Sequence, residues 1–231
     1  IKSLRQGMIE GLKNREGEWE KFTNDLNYVH KYPLSLDLKL GNYCNLSCRM
    51  CSSYSSSTYA SEFQKILKET GIDLGINDYE KHNVQSKWYN EPKFVDTIKK
   101  MINDGLRHLK FTGGEPLMVP SVKKLLNYCI EQNKAKNIEL VLITNGTLLN
   151  QEWIDIFANF KNISIIFSID GTEDTFEFIR HPAKWTVIKE KLNLLDKIRD
   201  NKFFICISFT YQIYNILQIK NMIELIREHK I

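Results

Sequence analysis

The sequence has no apolar run long enough to cross a membrane and no leader-like hydrophobic stretch. It also lacks a concentrated basic stripe. The 32 Lys and Arg stand against 28 Asp and Glu, leaving a formal charge of +4 spread along the chain. Nothing in that pattern calls for a nucleic-acid partner, and the Lys-Lys pairs at 99 and 123 read as solvated helix faces. No GxGxxG follows a strand-like segment, so the main sequence sign of a dinucleotide-binding, doubly wound sheet is missing. Five cysteines without secretory features disfavour disulfides and point to a reducing compartment, the cytoplasm. With 231 residues and 42% hydrophobic content, the chain can bury one sizeable core and is short for two generous domains.

What is present is concentrated in residues 44–51, CNLSCRMC, where Cys44, Cys48 and Cys51 follow a CxxxCxxC spacing. Soft thiolates suit iron–sulfur clusters or zinc. A structural zinc site wants a fourth Cys or His, commonly in paired knuckles, and the nearest downstream histidine, His82, has no partner at ligand spacing. A cubic four-iron cluster takes one cysteine per iron, so three cysteines would leave one iron open to chemistry. The other two cysteines read as packed thiols. Cys129 falls on a helical stripe with Val122, Leu125, Leu126 and Ile130, and Cys206 falls within a run, residues 203–207, that reads as a buried strand.

Residues 1–34 are polar, with Trp19, Phe22, Leu26 and Val29 at helical spacing, and read as a lead-in to one domain over 35–231. Leu36, Leu38 and Leu40 alternate in a strand that delivers the chain into the cysteine loop. Residues 52–91 read as an insertion: a serine-rich start, a helix through Phe63, Ile66 and Leu67 broken by Gly71, then Trp88 and Tyr89, which the sharper of two readings places over a substrate pocket. Regular units follow, with strands near 109–111, 140–143, 163–168 and 203–209. Helices are expected around 94–102, 121–132, from Asn150, 184–198 and along Ile216, Ile219, Ile223 and Ile226. Strands alternating with helices predict a parallel sheet, and five strands are too few for a closed eight-stranded barrel.

Gly113-Gly114-Glu115-Pro116, Thr144-Asn145-Gly146 and Ser168-Ile169-Asp170-Gly171 follow the cysteine triplet, each at the end of an expected strand. In order and approximate spacing, the four motifs resemble the radical S-adenosylmethionine (SAM) enzymes, over residues 35 to about 210. The resemblance implies a partial parallel (β/α)6-type barrel whose sixth strand would begin just after Ile231. The initial Ile1 likewise suggests a fragment, and Ser3-Leu4-Arg5 is similar to a stretch that follows auxiliary cluster regions of the twitch or SPASM type. It further implies a [4Fe-4S] cluster on Cys44, Cys48 and Cys51, and SAM bound by Gly113, Gly114, Glu115, Thr144, Asn145, Ser168, Asp170 and Arg180. Met50 stands where the family usually has an aromatic residue near adenine, and His181 where an Ile-Arg-Gly motif has its glycine.

The activity so implied is reductive cleavage of SAM to a 5′-deoxyadenosyl radical that abstracts hydrogen from a substrate, a peptide or protein in members with auxiliary regions. The electron would come from an external flavodoxin- or ferredoxin-like donor. Two rivals stand beside it: an iron–sulfur electron-transfer or binding module without SAM chemistry, and a zinc-stabilised scaffold.

Overall fold

A computed structural model describes residues 32–72, 87–198 and 202–231. The chain divides into two compact units, Ile1–Pro33 and Leu34–Ile231, and all the described helices and strands lie in the second. The expected helical lead-in with Trp19, Phe22, Leu26 and Val29 lies outside the described residues.

Five strands, β1 (Ser35–Lys39), β2 (His108–Thr112), β3 (Glu139–Thr144), β4 (Asn162–Ser168) and β5 (Phe203–Ser208), form one sheet in sequence order. Every neighbouring pair is parallel. Parallel neighbours cannot be joined by a tight turn and need a crossover. The crossovers carry α1 (Ser57–Thr70) and α2 (Pro92–Asp104), then α3 (Pro120–Glu131), α4 (Gln151–Phe157), α5 (Glu173–Ile179) and α6 (Trp185–Ile198), with α7 (Ile219–Glu228) after β5. Local chemistry sets their ends. Pro92 and Pro120 open α2 and α3, where a missing N–H costs nothing. Asn150 caps α4 by accepting from Trp153 N at 3.1 Å, and Gly105, at φ +117°, closes α2.

The two faces of the sheet differ. Leu38, Phe111, Leu142, Ile165 and Ile205 lie in one register row, all buried, in the same apolar cluster as Ile98, Ile102, Leu126, Cys129 and Leu192 of the helices. The adjacent row, Asp37, Lys110, Val141, Ser164 and Phe204, is half-buried to exposed, and Lys110 Nζ donates to Asp37 Oδ2 at 2.6 Å. One helix-covered face and one open face make the sheet part of a (β/α) barrel, with its polar groups gathered at the C-terminal ends of the strands.

Three expectations need correction. The run at 203–207 is not buried on both sides: Phe204 is 65% exposed and Cys206 half-buried, because they point to the open face. The final helix begins at Ile219 after a 3-10 turn, Ile216–Gln218, and its isoleucine stripe faces outward, with Met222 and Leu225 turned to the core. Helix α5 was not foreseen, since seven residues are too few to show a period. Its start signal is Glu173 and Asp174 in the first turn, where acids favour the helix dipole. Trp88 and Tyr89 join the helix layer: the Trp88 ring meets Phe94 of α2 edge-on at 4.9 Å, and Tyr89 is buried beside Gly41, just past the end of β1.

Candidate active site

Strand β1 ends at Lys39, and the cysteine loop that follows is fixed from two directions. From the serine-rich stretch, Thr58 Oγ1 and Ser57 Oγ donate to the Cys44 carbonyl at 2.6 and 3.2 Å, and Ser56 Oγ to that of Leu46 at 2.5 Å. Ser57 N donates to the Asn42 carbonyl, while Asn42 Nδ2 donates to that of Ser53, both at 2.8 Å. From the other side, Ser47 N and Arg49 N donate to the carbonyls of His181 and Ile179 at 2.8 and 2.9 Å. The Arg49 guanidinium also lies 3.8 Å above the Phe178 ring. Cys44 and Cys48 are buried, Cys51 is half-buried, and all three are free thiols.

Most of the strand-end residues singled out from the sequence meet in one hydrogen-bonded web. Glu115 is fully buried; its Oε1 accepts from Leu117 N at 3.0 Å and Thr144 Oγ1 at 2.7 Å, and its Oε2 from Asn145 N at 2.7 Å. Asn145 Nδ2 donates to Asn45 Oδ1 at 2.9 Å and faces Cys44 Sγ at 3.9 Å, tying the end of β3 to the cysteine loop. Asp170, also fully buried, accepts from Arg180 Nε at 2.7 Å and Nη2 at 2.6 Å through Oδ2, and from Thr210 N at 2.7 Å through Oδ1. The remaining Arg180 nitrogen, Nη1, reaches Cys48 Sγ at 3.8 Å. Ser168 stands apart, half-buried at the end of β4, with no side-chain hydrogen bond among the described residues. Met50 packs its side chain against the edge of the core.

The two glycines of GGEP leave room for protein. A Cβ on Gly114 would lie 2.0 Å from the Tyr43 carbonyl oxygen, and one on Gly113, at φ +99°, would lie 2.7 Å from Lys39 Cγ. Glu115 N then donates to the same Tyr43 carbonyl at 2.5 Å. The β2 turn and the entry to the cysteine loop are therefore in backbone contact, as only glycine permits.

Burial sets the protonation of two of the thiols. Burial pushes the Cys44 thiol up and the Cys48 thiol to about 12, although the Arg180 charge pulls the latter back. Left alone, both stay protonated; a metal would impose the thiolate. Each sulfur already has a donor or cation near it. Leu46 N lies 3.4 Å from Cys44, Arg180 faces Cys48, and the Lys39 ammonium, lowered by burial, interacts with Cys51. Among the described residues no three His, Cys, Asp or Glu side chains converge closely enough for one ion. The donor set, three free thiols on one loop, suits a cluster that takes one cysteine per iron and leaves one iron to another ligand.

Sequence reasoning missed the residues that hold this arrangement: Asn42, Asn45, Ser56, Ser57, Thr58, Thr147 and Thr210. Asn45 and Thr147 act across about a hundred positions, in the Asn45 Nδ2 to Thr147 Oγ1 bond of 2.9 Å, and no spacing announces them. Ser56 alone left a signal, as a serine just ahead of a helix, and it does cap α1 by accepting from Tyr59 N. A cavity of about 780 Å³ lies between α2 and α3, bordered by Tyr89, Phe94, Lys99, Lys124 and Tyr128; it touches the site only at Tyr43.

The family profile of the Radical SAM superfamily matches residues 38–226, most of the chain. The chain belongs to this superfamily. Among its relatives, the sporulation killing factor maturation protein SkfB of Bacillus subtilis (strain 168) is 21% identical over 192 residues, 83% of this chain and 39% of SkfB. The antilisterial bacteriocin subtilosin biosynthesis protein AlbA of the same strain is 22% identical, over 99% of this chain and 44% of AlbA. The fold agrees with solved members. Native anSMEcpe with bound AdoMet and Cp18Cys peptide superposes with a TM-score of 0.58 at 19% identity, over 86% of this chain and 49% of that one. Streptococcus suis SuiB bound to precursor peptide SuiA gives 0.54 at 19% identity, over 87% of this chain and 38% of SuiB. The chain thus spans less than half the length of these relatives.

Proposed function

We propose that the chain is the core of a radical SAM enzyme that modifies a peptide, with Cys44, Cys48 and Cys51 holding a [4Fe-4S] cluster. The observation that carries this is the three free thiols in the loop after β1, with Leu46 N beside Cys44 and Arg180 beside Cys48, backed by the other strand ends. A cluster held by Cys44, Cys48 and Cys51 would supply one electron for the reductive cleavage of SAM, the source of a radical that can take hydrogen from a substrate.

The protein's part is to hold and orient. Ser56, Ser57 and Thr58 fix the backbone of the cysteine loop by its carbonyls at Cys44 and Leu46. Glu115, Thr144 and Asn145 engage one another first, which makes them a brace between β2, β3 and the loop. The carbonyls at Gly113 and Gly114 would receive the SAM amine, with the buried Glu115 carboxylate supplying negative charge behind them. Ser168, with its unengaged hydroxyl, and the outer N–H groups of Arg180 are the donors for the SAM carboxylate and ribose, with Asp170 orienting Arg180. Met50 offers an apolar contact to the adenine ring. The open face of the sheet, with Asp37, Lys110 and Ser164, is where a substrate segment would enter.

A peptide substrate is supported by the relatives named for maturation and bacteriocin biosynthesis, and by SuiB, solved with a precursor peptide. No described helix is long and apolar enough to cross a membrane. Five free thiols suit the reducing cytoplasm, where a flavodoxin- or ferredoxin-like protein would supply the electron.

The test is anaerobic. The chain is reconstituted with iron and sulfide, given SAM and dithionite, and 5′-deoxyadenosine is quantified against Cys48→Ala. Product from the wild type and none from the variant is expected. A cluster that assembles but binds no SAM would return the electron-carrier reading, SAM binding without product would call for a longer chain, and a folded protein that takes up zinc but neither iron nor sulfide would overturn the enzyme.

A further inference from the structure

Arg180 is anchored in a way that a simple ligand for a carboxylate would not need. Its Nε and Nη2 both bind Asp170 Oδ2, at 2.7 and 2.6 Å, and the ion pair is enclosed, with side-chain exposures of 11% and 0%. Asp170 cannot move to release it. Its Oδ1 is held by Thr210 N at 2.7 Å and its backbone carbonyl by Asn215 Nδ2 at 3.1 Å. The fixed guanidinium then points its third nitrogen, Nη1, at Cys48 Sγ, 3.8 Å away. Arginine suits this task because its planar fork can bind a carboxylate with one edge and still present an N–H elsewhere.

We propose that Arg180, held by Asp170, is a positioning residue that acts through Cys48 to raise the reduction potential of the cluster, a role that rests on the cluster reading above. Reduction by an external one-electron donor adds one negative charge to the cluster, and a fixed cation beside a ligand sulfur stabilises the reduced form more than the oxidised one. Hydrogen bonds to sulfur, net charge and exposure are the levers that set such potentials. Burial keeps the effect from being screened away. Asp170 opposes it, since its carboxylate is farther from the sulfur but carries the other sign. The potential is therefore a balance between the two charges, and the two must move it in opposite directions when removed singly.

The experiment uses reconstituted wild type, Arg180→Gln, Arg180→Lys and Asp170→Asn, each with iron and sulfide content measured. Redox titrations without SAM are read by electron paramagnetic resonance, and SAM binding is measured on the same samples. Arg180→Gln is expected to lower the reduced-to-oxidised ratio about tenfold at a fixed applied potential, ~59 mV for a one-electron couple. Arg180→Lys, which keeps the charge but loses the fork, falls between it and the wild type, and Asp170→Asn raises the ratio. Unchanged potentials with weakened SAM binding would overturn the proposal and leave Arg180 a SAM contact only. Arginine and aspartate variants shifting the same way would also overturn it, since distortion and not charge would then be responsible. If Arg180→Gln assembles no cluster, Asp170→Asn decides: a ratio equal to or below the wild type's defeats the proposal. A wild type that takes up no iron and sulfide fails the cluster reading itself, a result distinct from any of these.

Discussion

The serine-rich stretch after the cysteines and the helix α7 have exchanged the places that sequence reading gives them. Residues 52–58 look like filler, yet Ser53, Ser56, Ser57 and Thr58 all take part in bonds that pin the cysteine loop. Helix α7 looks like the plainest amphipathic element in the chain. Its stripe is nevertheless bare, with Ile216 59%, Ile219 43% and Ile223 44% exposed. Small hydroxyl side chains leave no periodic trace because each acts through one bond to a nearby backbone group. An apolar period identifies a helix and its two faces, but which face is covered depends on what packs there.

Mutation can break or sharpen this contrast. The largest effect is expected for Ser56→Ala, which removes both the cap of α1 and the bond to a buried carbonyl. About 1–3 kcal/mol of stability should be lost, read by urea denaturation. Thr58→Val should cost less, ~0.5–1.5 kcal/mol, because Ser57 still donates to the Cys44 carbonyl that Thr58 leaves. Ile223→Ser is the smallest. It should change stability by no more than about 0.5 kcal/mol, read by the same urea denaturation. A loss from Ile223→Ser as large as that from Ser56→Ala would mean the stripe is covered after all and would reverse the comparison.

The same contrast explains what was legible. The strands and main helices could be read because Leu36, Leu38 and Leu40, or Val122, Leu126 and Cys129, repeat at the period of their element. The four strand-end motifs could be read because turn chemistry and ligand chemistry both restrict residue type. Their internal wiring could not. That Asn145 reaches Asn45, and Arg180 reaches Cys48, depends on the register of β1 through β4, which brings together residues 100 and 132 positions apart. Glu115 illustrates the limit: its residue type marked it as polar machinery, but only its three protein donors reveal it as a brace.

The closeness of Gly114 to Tyr43 bears on how this scaffold can be re-engineered. With the absent Cβ only 2.0 Å from the Tyr43 oxygen, the cysteine octapeptide and the glycine turn are one transplantable part, not two. A chimera that imports a foreign cysteine loop while keeping the resident turn, or the reverse, would have to find the same backbone approach anew. Cut points for such exchanges belong before Lys39 and after Glu115, where both halves of the contact travel together.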